Sequence, residues 1–264
     1  MRVILTPRDS RIPPIVMVDG HRMNNHPVRP FTVALDPHPL TGWYEPPALK
    51  DVADMDRPDA DGAFMPRRLL MERRTVTITG HTVRTTSSSA SSSLDDSRFK
   101  DLMAAMVGVP VTMRVEDQSG AREADGYVSA QMTLGDEDEF FGVLRFALTI
   151  TLPDPLKYGP AVTFSLESAS GSLHVENNGT AASLPVIHVS GNPTRVSVTF
   201  DGRTVSWSGT GVEQFDMDFR DMTPSAGSVG EDDSFAIPAG GANVSVTAQP
   251  DTARVSVTVR PAWK

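Results

Sequence analysis

The sequence contains no cysteine among its 264 residues. This absence excludes disulfide bonds, zinc sites built from cysteine and catalysis by a thiol. Aromatic residues are also scarce, at 6%, so a core must be built mainly from Val, Leu, Ile, Met and Ala. Because hydrophobic residues still reach 39% and charged residues 22%, the composition is that of a folded chain.

Excess positive charge is missing as well. The formal net charge is −9, with 18 basic against 22 acidic side chains in residues 1–158 and 6 against 11 in residues 159–264. Surfaces that grip nucleic acid concentrate positive charge, so we expect no specific DNA or RNA binding. An acidic surface remains compatible with a channel through which DNA slides without sticking.

Long apolar runs are absent too. No stretch approaches the roughly 18 consecutive apolar residues of a membrane span. The apolar run in the N-terminal MRVILTPRDS is too short for a signal peptide. We therefore expect a chain that is made in the cytoplasm and does not insert into a membrane.

Short runs in which Val and Thr alternate fill most of the chain, with Gly, Pro, Asn and Asp between them. This pattern predicts a mainly β protein, with one clear strand at Thr75–Thr79. The first 60 residues depart from the pattern, because ten prolines interrupt their short apolar pieces. We predict that this segment is irregular and able to lie along a partner surface.

One α-helix is predicted after a flexible Thr/Ser loop at residues 85–93. Ser93 and Asp96 have the spacing of a capping box, and Gly108 ends the helix. Four apolar side chains form a single stripe along it: Phe99, Leu102, Met103 and Met106.

Strands return after the helix, with predicted positions at residues 111–115, 124–132 and 140–152. Beyond them the sequence predicts only strands, and turn signals every 8–12 residues or so are typical of a β-sandwich. Asp201-Gly202, between VSVTF and RTVSW, is the strongest hairpin signal. A boundary after Tyr158 gives two predicted domains, residues 1–158 and 159–264.

Two ordered patterns carry a resemblance to a known family. Asp59-x-Asp61-Gly62 is followed by an Arg-rich stretch, the strand TVTITG, a Ser/Thr loop, one helix and hairpin strands ending in DPLKY. This order resembles the N-terminal, ring-forming belt domain of siphophage distal tail proteins. The second pattern is Asn178-Gly179-Thr180, LPVI, the DGRTV hairpin, SFAIPAG, Asn243-Val244 and VTVRPAW. It resembles the galectin-like β-sandwich that ends many such proteins, especially in phages of actinobacteria.

The resemblance implies a fold and a role. The fold is a split barrel plus helix over residues 1–158, followed by a galectin-like β-sandwich over residues 159–264. The role is a hexameric ring at the distal end of the virion tail. It would join the tail tube protein to the tip, dock hub and receptor-binding proteins, and let genome DNA pass without binding it.

No catalytic or metal-binding constellation is found in the sequence. Asp59 and Asp61 lack the glutamate that a calcium loop places six residues after its glycine. The carboxylates at residues 137–139, and Asp216 with Asp218, are interpreted as surface charges rather than a glycosidase pair. The histidines form no ligand pair and no GxSxG occurs. We therefore expect no enzyme activity, no metal and no cofactor.

Four arginines are the candidates for a subunit interface: Arg67, Arg68, Arg73 and Arg74. A head-to-tail ring needs two complementary surfaces, and arginine is preferred at interfaces. The alternative is that these side chains line a solvated strand face.

Trp207 is the candidate for stacking against a sugar ring, although its alternation with Val205 also fits an inward-facing side chain. A carbohydrate-binding adsorption module on the virion is therefore the alternative to the structural ring. A cell-wall hydrolase is a third hypothesis.

Overall fold

The computed structural model describes residues 1–19, 31–50, 57, 59–61, 63–66, 68–84, 89–134 and 144–264. The chain divides into two compact units, Met1–Pro155 and Leu156–Lys264. This division falls three residues before the boundary that the sequence suggested at Tyr158.

The first unit contains seven strands: β1 (Arg2–Pro7), β2 (Ile15–Asp19), β3 (Phe31–Thr41), β4 (Arg74–Arg84), β5 (Pro110–Asp117), β6 (Gly120–Leu134) and β7 (Arg145–Leu152). They pair in the order β6-β5-β1-β2-β3-β4-β7, and β6 also pairs with β7, which closes a barrel. Every pairing is antiparallel except that of β2 with β3. A closed barrel has no free strand edges.

Alternate residues of the barrel strands point into a common core. Val3 and Leu5 of β1 are fully buried, as are Met113 of β5 and Ile78 of β4. Trp43, just beyond the end of β3, is also buried in this core. As expected from the few aromatic residues, this core consists mainly of aliphatic and methionine side chains.

The prediction that the first 60 residues are irregular is wrong for β1, β2 and β3. The strand β3 contains Pro37 and Pro39, and its pairing with β4 shifts register between Leu35 and Leu40. Proline has no N–H to donate to a strand ladder, so such strands survive where the ladder is interrupted. The prolines therefore hid β3 from prediction, although both ends of this strand pair with β4.

One helix, α1 (Ser89–Met106), is present among the described residues. It begins earlier than predicted, so Ser93 lies inside the helix instead of capping it. Serine costs at most about 0.7 kcal/mol relative to alanine within a helix, which the packing of later turns can offset. The apolar stripe is confirmed: Phe99 and Met103 are buried, and the Phe99 ring meets that of Phe146 edge-on at 5.3 Å between centroids.

The second unit is described throughout and consists of strands. One five-stranded sheet has the order β10 (Ser170–Val175), β17 (Ala242–Gln249), β12 (Arg195–Phe200), β13 (Arg203–Ser208) and β16 (Ser228–Asp232). The other has the order β15 (Thr223–Pro224), β14 (Gln214–Asp218), β11 (Val186–Ser190), β18 (Arg254–Val259) and β9 (Val162–Ser165). A short ladder joins β8 (Lys157–Tyr158) to β19 (Ala262–Trp263).

Both sheets of this unit contribute to one core, as the β-sandwich prediction requires. In β17, buried and exposed residues alternate without exception, and Val244 and Val246 face the same cluster as Ile187 of β11. The predicted hairpin is confirmed between β12 and β13. Asp201 and Gly202 both have positive φ, 51° and 76°, which is the backbone that a type I′ turn requires.

A mainly β fold with one helix, followed by a β-sandwich, is therefore confirmed. Among the described residues, no helix is long and apolar enough to span a membrane.

Candidate functional site

A long connection leaves the barrel between β3 and β4. We call residues 42–73 the arm, of which residues 51–56, 58, 62 and 67 lie outside the described part. The two limbs of the arm run side by side: Leu49 and Met71 form an antiparallel bridge. The Lys50 N–H donates to the Leu70 carbonyl, and the Glu72 N–H to the Ala48 carbonyl, both at 2.8 Å. The two limbs are thus hydrogen-bonded to each other at residues 48–50 and 70–72.

Large apolar side chains are concentrated on the arm. Eleven large hydrophobic side chains are exposed in the described chain, and six of them belong to the arm: Tyr44 (52%), Leu49 (53%), Phe64 (54%), Met65 (76%), Leu69 (47%) and Leu70 (43%). Single exposed apolar residues are ordinary, but a concentration of them marks a surface that another molecule covers. The arm is therefore the candidate functional site.

The first limb of the arm is fixed where it leaves the barrel. Gly42 has a φ of 85°, and a side chain there would collide with the Thr75 carbonyl of β4. The Gly42 N–H donates to the Glu45 carboxylate at 2.8 Å, which closes a tight turn. Only glycine fits this position, for two reasons. A positive φ strains any residue that has a Cβ, and that Cβ would also clash with the neighbouring backbone.

Tyr44 ties this limb to the turn between β5 and β6. Its hydroxyl donates to the Asp117 carboxylate at 2.9 Å. Partial burial and this hydrogen bond to an anion raise the pKa of Tyr44 to about 12. The neutral phenol is therefore the form that the folded arm holds.

The predicted arginines fall into different environments. Arg68 and Arg73 are exposed on the arm, while Arg67 lies outside the described residues. Arg57, also on the arm, lies over the Phe64 ring at 5.8 Å from its centroid. Positive charge thus lies next to exposed apolar surface, a composition preferred at protein interfaces.

The prediction that Arg74 lies at a subunit interface is wrong. It is 3% exposed and therefore cannot meet a neighbouring subunit. Its Nη1 donates to the carbonyls of Gly42 (2.7 Å), Trp43 (3.2 Å) and Glu45 (2.7 Å), and its Nε to that of Pro155 (2.9 Å). Burial lowers the pKa of Arg74, and the nearby Glu45 opposes that change. Its alternation with the buried Val76 and Ile78 is a sequence signal that could have placed it inside.

Trp207 is likewise a core residue. It is 1% exposed, its ring stacks on Phe215 at 3.8 Å between centroids, and its Nε1 donates to the Ala226 carbonyl at 2.8 Å. Gly209 and Gly227 pack against the same ring. Since no ring face is open to a sugar, the inward-facing alternative describes this side chain, and the carbohydrate hypothesis loses its aromatic candidate.

The carboxylates examined for metal binding or hydrolysis have ordinary surroundings where they are described. Asp216 bonds to the His188 ring at 2.6 Å, and Asp218 accepts the Arg220 N–H at 2.9 Å. Residues 137–139 and Gly62 lie outside the described part. Within that part, no group of three or more potential metal ligands occurs.

Sequence reasoning located only part of the arm. It expected the first 60 residues, which include residues 42–60 of the arm, to lie along a partner because of their prolines, and it did not single out residues 61–73 as an apolar surface. The available signal was the stretch FMPRRLLM at residues 64–71. Its apolar residues follow neither a helical nor a strand period, so they cannot all face one core.

Comparison with known proteins identifies the fold. No protein-family model and no curated protein matches the chain. The crystal structure of the Dit protein of phage SPP1 superposes with a TM-score of 0.58 and 15% identity, covering 88% of this chain and 99% of that one. Two structures of the phage P2 baseplate in its activated conformation, with Ca and with Sr, give TM-scores of 0.40 at 8% and 7% identity. They cover 97% and 98% of both chains, but scores this low carry no argument. This chain therefore shares the fold of the SPP1 protein.

Proposed function

We propose that this chain is a structural subunit of a phage tail tip, a distal tail protein that assembles with copies of itself into a hexameric ring. The observation that carries the proposal is the match to SPP1 Dit, which spans both units and nearly the whole of that protein. SPP1 Dit is described as a paradigm of the hub adsorption apparatus in phages that infect Gram-positive bacteria. The same order of two domains led to the family resemblance noted in the sequence.

The arm supports self-association. A ring built head to tail needs two different complementary surfaces on each copy, and the arm offers one that is apolar and carries Arg57, Arg68 and Arg73. The arm is not positively charged as a whole, because residues 42–73 contain seven acidic side chains against five basic ones. Its exposed apolar side chains, with individual arginines beside them, therefore carry the argument for an interface.

The remaining parts of the role follow from position in such a ring. The ring would connect the tail tube protein to the hub and receptor-binding proteins of the tip, in the virion of a siphophage. That the phage infects an actinobacterium is proposed from the sequence resemblance of residues 159–264 alone. Six copies carry a formal charge of six times −9, that is −54. An acidic lumen repels DNA and limits its adhesion during passage. The function is structural, without catalysis or a cofactor.

The proposal is tested by placing a charge on the arm and, as a control, elsewhere. Leu69 on the arm and Leu184 in the second unit are similarly exposed, at 47% and 40%. We expect Leu69→Asp to weaken self-association at least about tenfold, because burying a leucine contributes roughly 1.5–3 kcal/mol. Leu184→Asp should leave association unchanged. Sedimentation equilibrium measures both, and circular dichroism checks that each variant is folded.

An equal effect of the two substitutions, or none from either, would remove the arm from the proposed interface. Adding salt gives a second reading. If the arginines of the arm meet acidic residues of another copy, high ionic strength weakens the association of the wild-type protein.

A further inference from the structure

Arg74 joins two separate segments of the chain at the place where the arm begins. It is the first residue of β4, and it bonds to three carbonyls of the first limb, at Gly42, Trp43 and Glu45. A fourth bond reaches the Pro155 carbonyl. One side chain therefore connects the start of the arm, the end of the arm and the segment that follows β7.

The acceptors are backbone carbonyls rather than side-chain carboxylates. A guanidinium group presents its donors in a rigid, planar fork, so its bonds fix the direction of the carbonyls that accept them. Those carbonyls belong to residues 42–45, whose path decides where the arm points. Removing the guanidinium would leave the buried Trp43 carbonyl and the part-buried Gly42 and Glu45 carbonyls without their donor, and the segment would have to move to find another.

Burying an arginine that donates to carbonyls and forms no direct ion pair is an expensive way to stabilise a fold, and the nearby Glu45 offsets only part of that cost. The Arg74 Nη2 is buried and has no hydrogen-bond acceptor among the described residues. An apolar side chain at this inward position, next to Val76 and Ile78, would avoid that cost. The arrangement is thus better suited to directing the backbone of residues 42–45 than to strengthening the core.

We propose that Arg74 is a positioning residue that sets the direction in which the arm leaves the barrel and so presents its apolar side chains to another copy. The second part rests on the proposed function, whereas the first concerns the single chain. Arg74 acts through the backbone of residues 42–45 and does not itself touch the neighbouring copy.

The experiment measures the direction of the arm directly. Because the chain has no cysteine, Met65→Cys on the arm and Ser119→Cys on the turn between β5 and β6 give two unambiguous spin-label sites. Double electron–electron resonance on labelled protein diluted with unlabelled protein then reports the distance between them within one chain. The pair is measured in the wild-type background and with Arg74→Met, Arg74→Lys or Val76→Ala.

We expect a single narrow distance distribution in the wild type and a broader or displaced one with Arg74→Met. Arg74→Lys keeps the charge but lacks the fork, so it should fall between them. Hydrogen exchange at the Gly42, Lys50 and Glu72 amides should accelerate about tenfold with Arg74→Met. Val76→Ala, which removes core volume from the same strand, should lower thermal stability without changing the distance or the exchange at these amides.

Several outcomes would overturn the proposal. One is an unchanged distance distribution with both Arg74 variants; another is a change that Val76→Ala reproduces at the same loss of thermal stability. If Arg74→Met fails to fold, Arg74→Lys decides alone. Should the wild type never self-associate, the proposed function fails, while the distance measurement within one chain still decides whether Arg74 directs the arm.

Discussion

The barrel unit and the sandwich unit differ in how they dispose of apolar side chains. In the sandwich, connections between strands are short, and only Val162 and Leu184 are large apolar residues left exposed. In the barrel unit, the 32-residue arm connects β3 to β4, and nine large apolar side chains are exposed among the described residues. A unit that closes its sheet and still exposes this much apolar surface has material for an interface. The sandwich, by comparison, packs nearly all of its large apolar side chains into its own core.

The same contrast appears in the use of buried polar groups. In the sandwich, Asn177 is fully buried and bonds to the Ala181 and Ile237 carbonyls, which holds turns of its own unit together. In the barrel unit, Arg74 donates three of its hydrogen bonds to carbonyls of residues 42–45, where the arm leaves the barrel. Burial in the first case completes a core, and in the second it fixes an element that extends beyond the core.

The largest expected effect breaks the sandwich alone. Trp207→Ala removes the side chain that stacks on Phe215 and packs against two glycines, and such truncations cost about 3–5 kcal/mol. Hydrogen-exchange mass spectrometry should show faster exchange in peptides of residues 156–264 and unchanged protection in the barrel strands. Trp207→Phe, which keeps an aromatic ring, should be milder. Equal loss of protection in both units would contradict the independence of the two cores.

A somewhat smaller effect is expected from the start of the arm. Gly42→Ala forces a side chain into a positive-φ position against the Thr75 carbonyl, at a cost of about 1–3 kcal/mol. Denaturant unfolding should show this loss, and exchange should accelerate at the Gly42 and Lys50 amides but not in the sandwich. Gly202→Ala is the matched control, because Gly202 also has positive φ but nothing lies within 4 Å of its added Cβ. An equal cost at both positions would show that only φ matters.

The smallest effect is a shift in titration. The pKa of Tyr44 is raised in the folded protein, to about 12, above its unfolded value near 10. The contribution of the Tyr44 hydroxyl to the free energy of unfolding is therefore complete below about pH 10 and is lost as the pH rises through about 12. Ultraviolet difference spectra should show a late-ionising tyrosine that Tyr44→Phe removes and that Asp117→Asn moves to lower pH. No change in the late phase with Tyr44→Phe would refute the assignment.

The sequence predicted the sandwich better than the barrel, for physical reasons. Strands such as β17 alternate strictly, and Asp201-Gly202 permits few backbone conformations other than its turn. In β3, Pro37 and Pro39 hide a strand, since whether an interrupted ladder is tolerated depends on partners distant in sequence. The start of α1 was missed because a run of serines has little preference of its own.

Individual side chains were harder to predict than elements. Arg74 and Trp207 were selected for their chemistry, and both proved to be buried. Their positions relative to Val76 and Val205 contained the correct answer, because alternate residues of a strand share a face. The stretch FMPRRLLM indicates that some of its apolar residues are exposed, but which of them are exposed could not be derived, since that depends on which side chains the barrel core leaves without space.

The most direct test of the account is the mass of the purified wild-type protein in solution, by light scattering after size-exclusion chromatography. Self-association into a hexamer predicts a particle of six times the 28.5 kDa of one chain, and Leu69→Asp should shift it toward the monomer. A particle of 28.5 kDa at every concentration up to the solubility limit would contradict assembly through the arm.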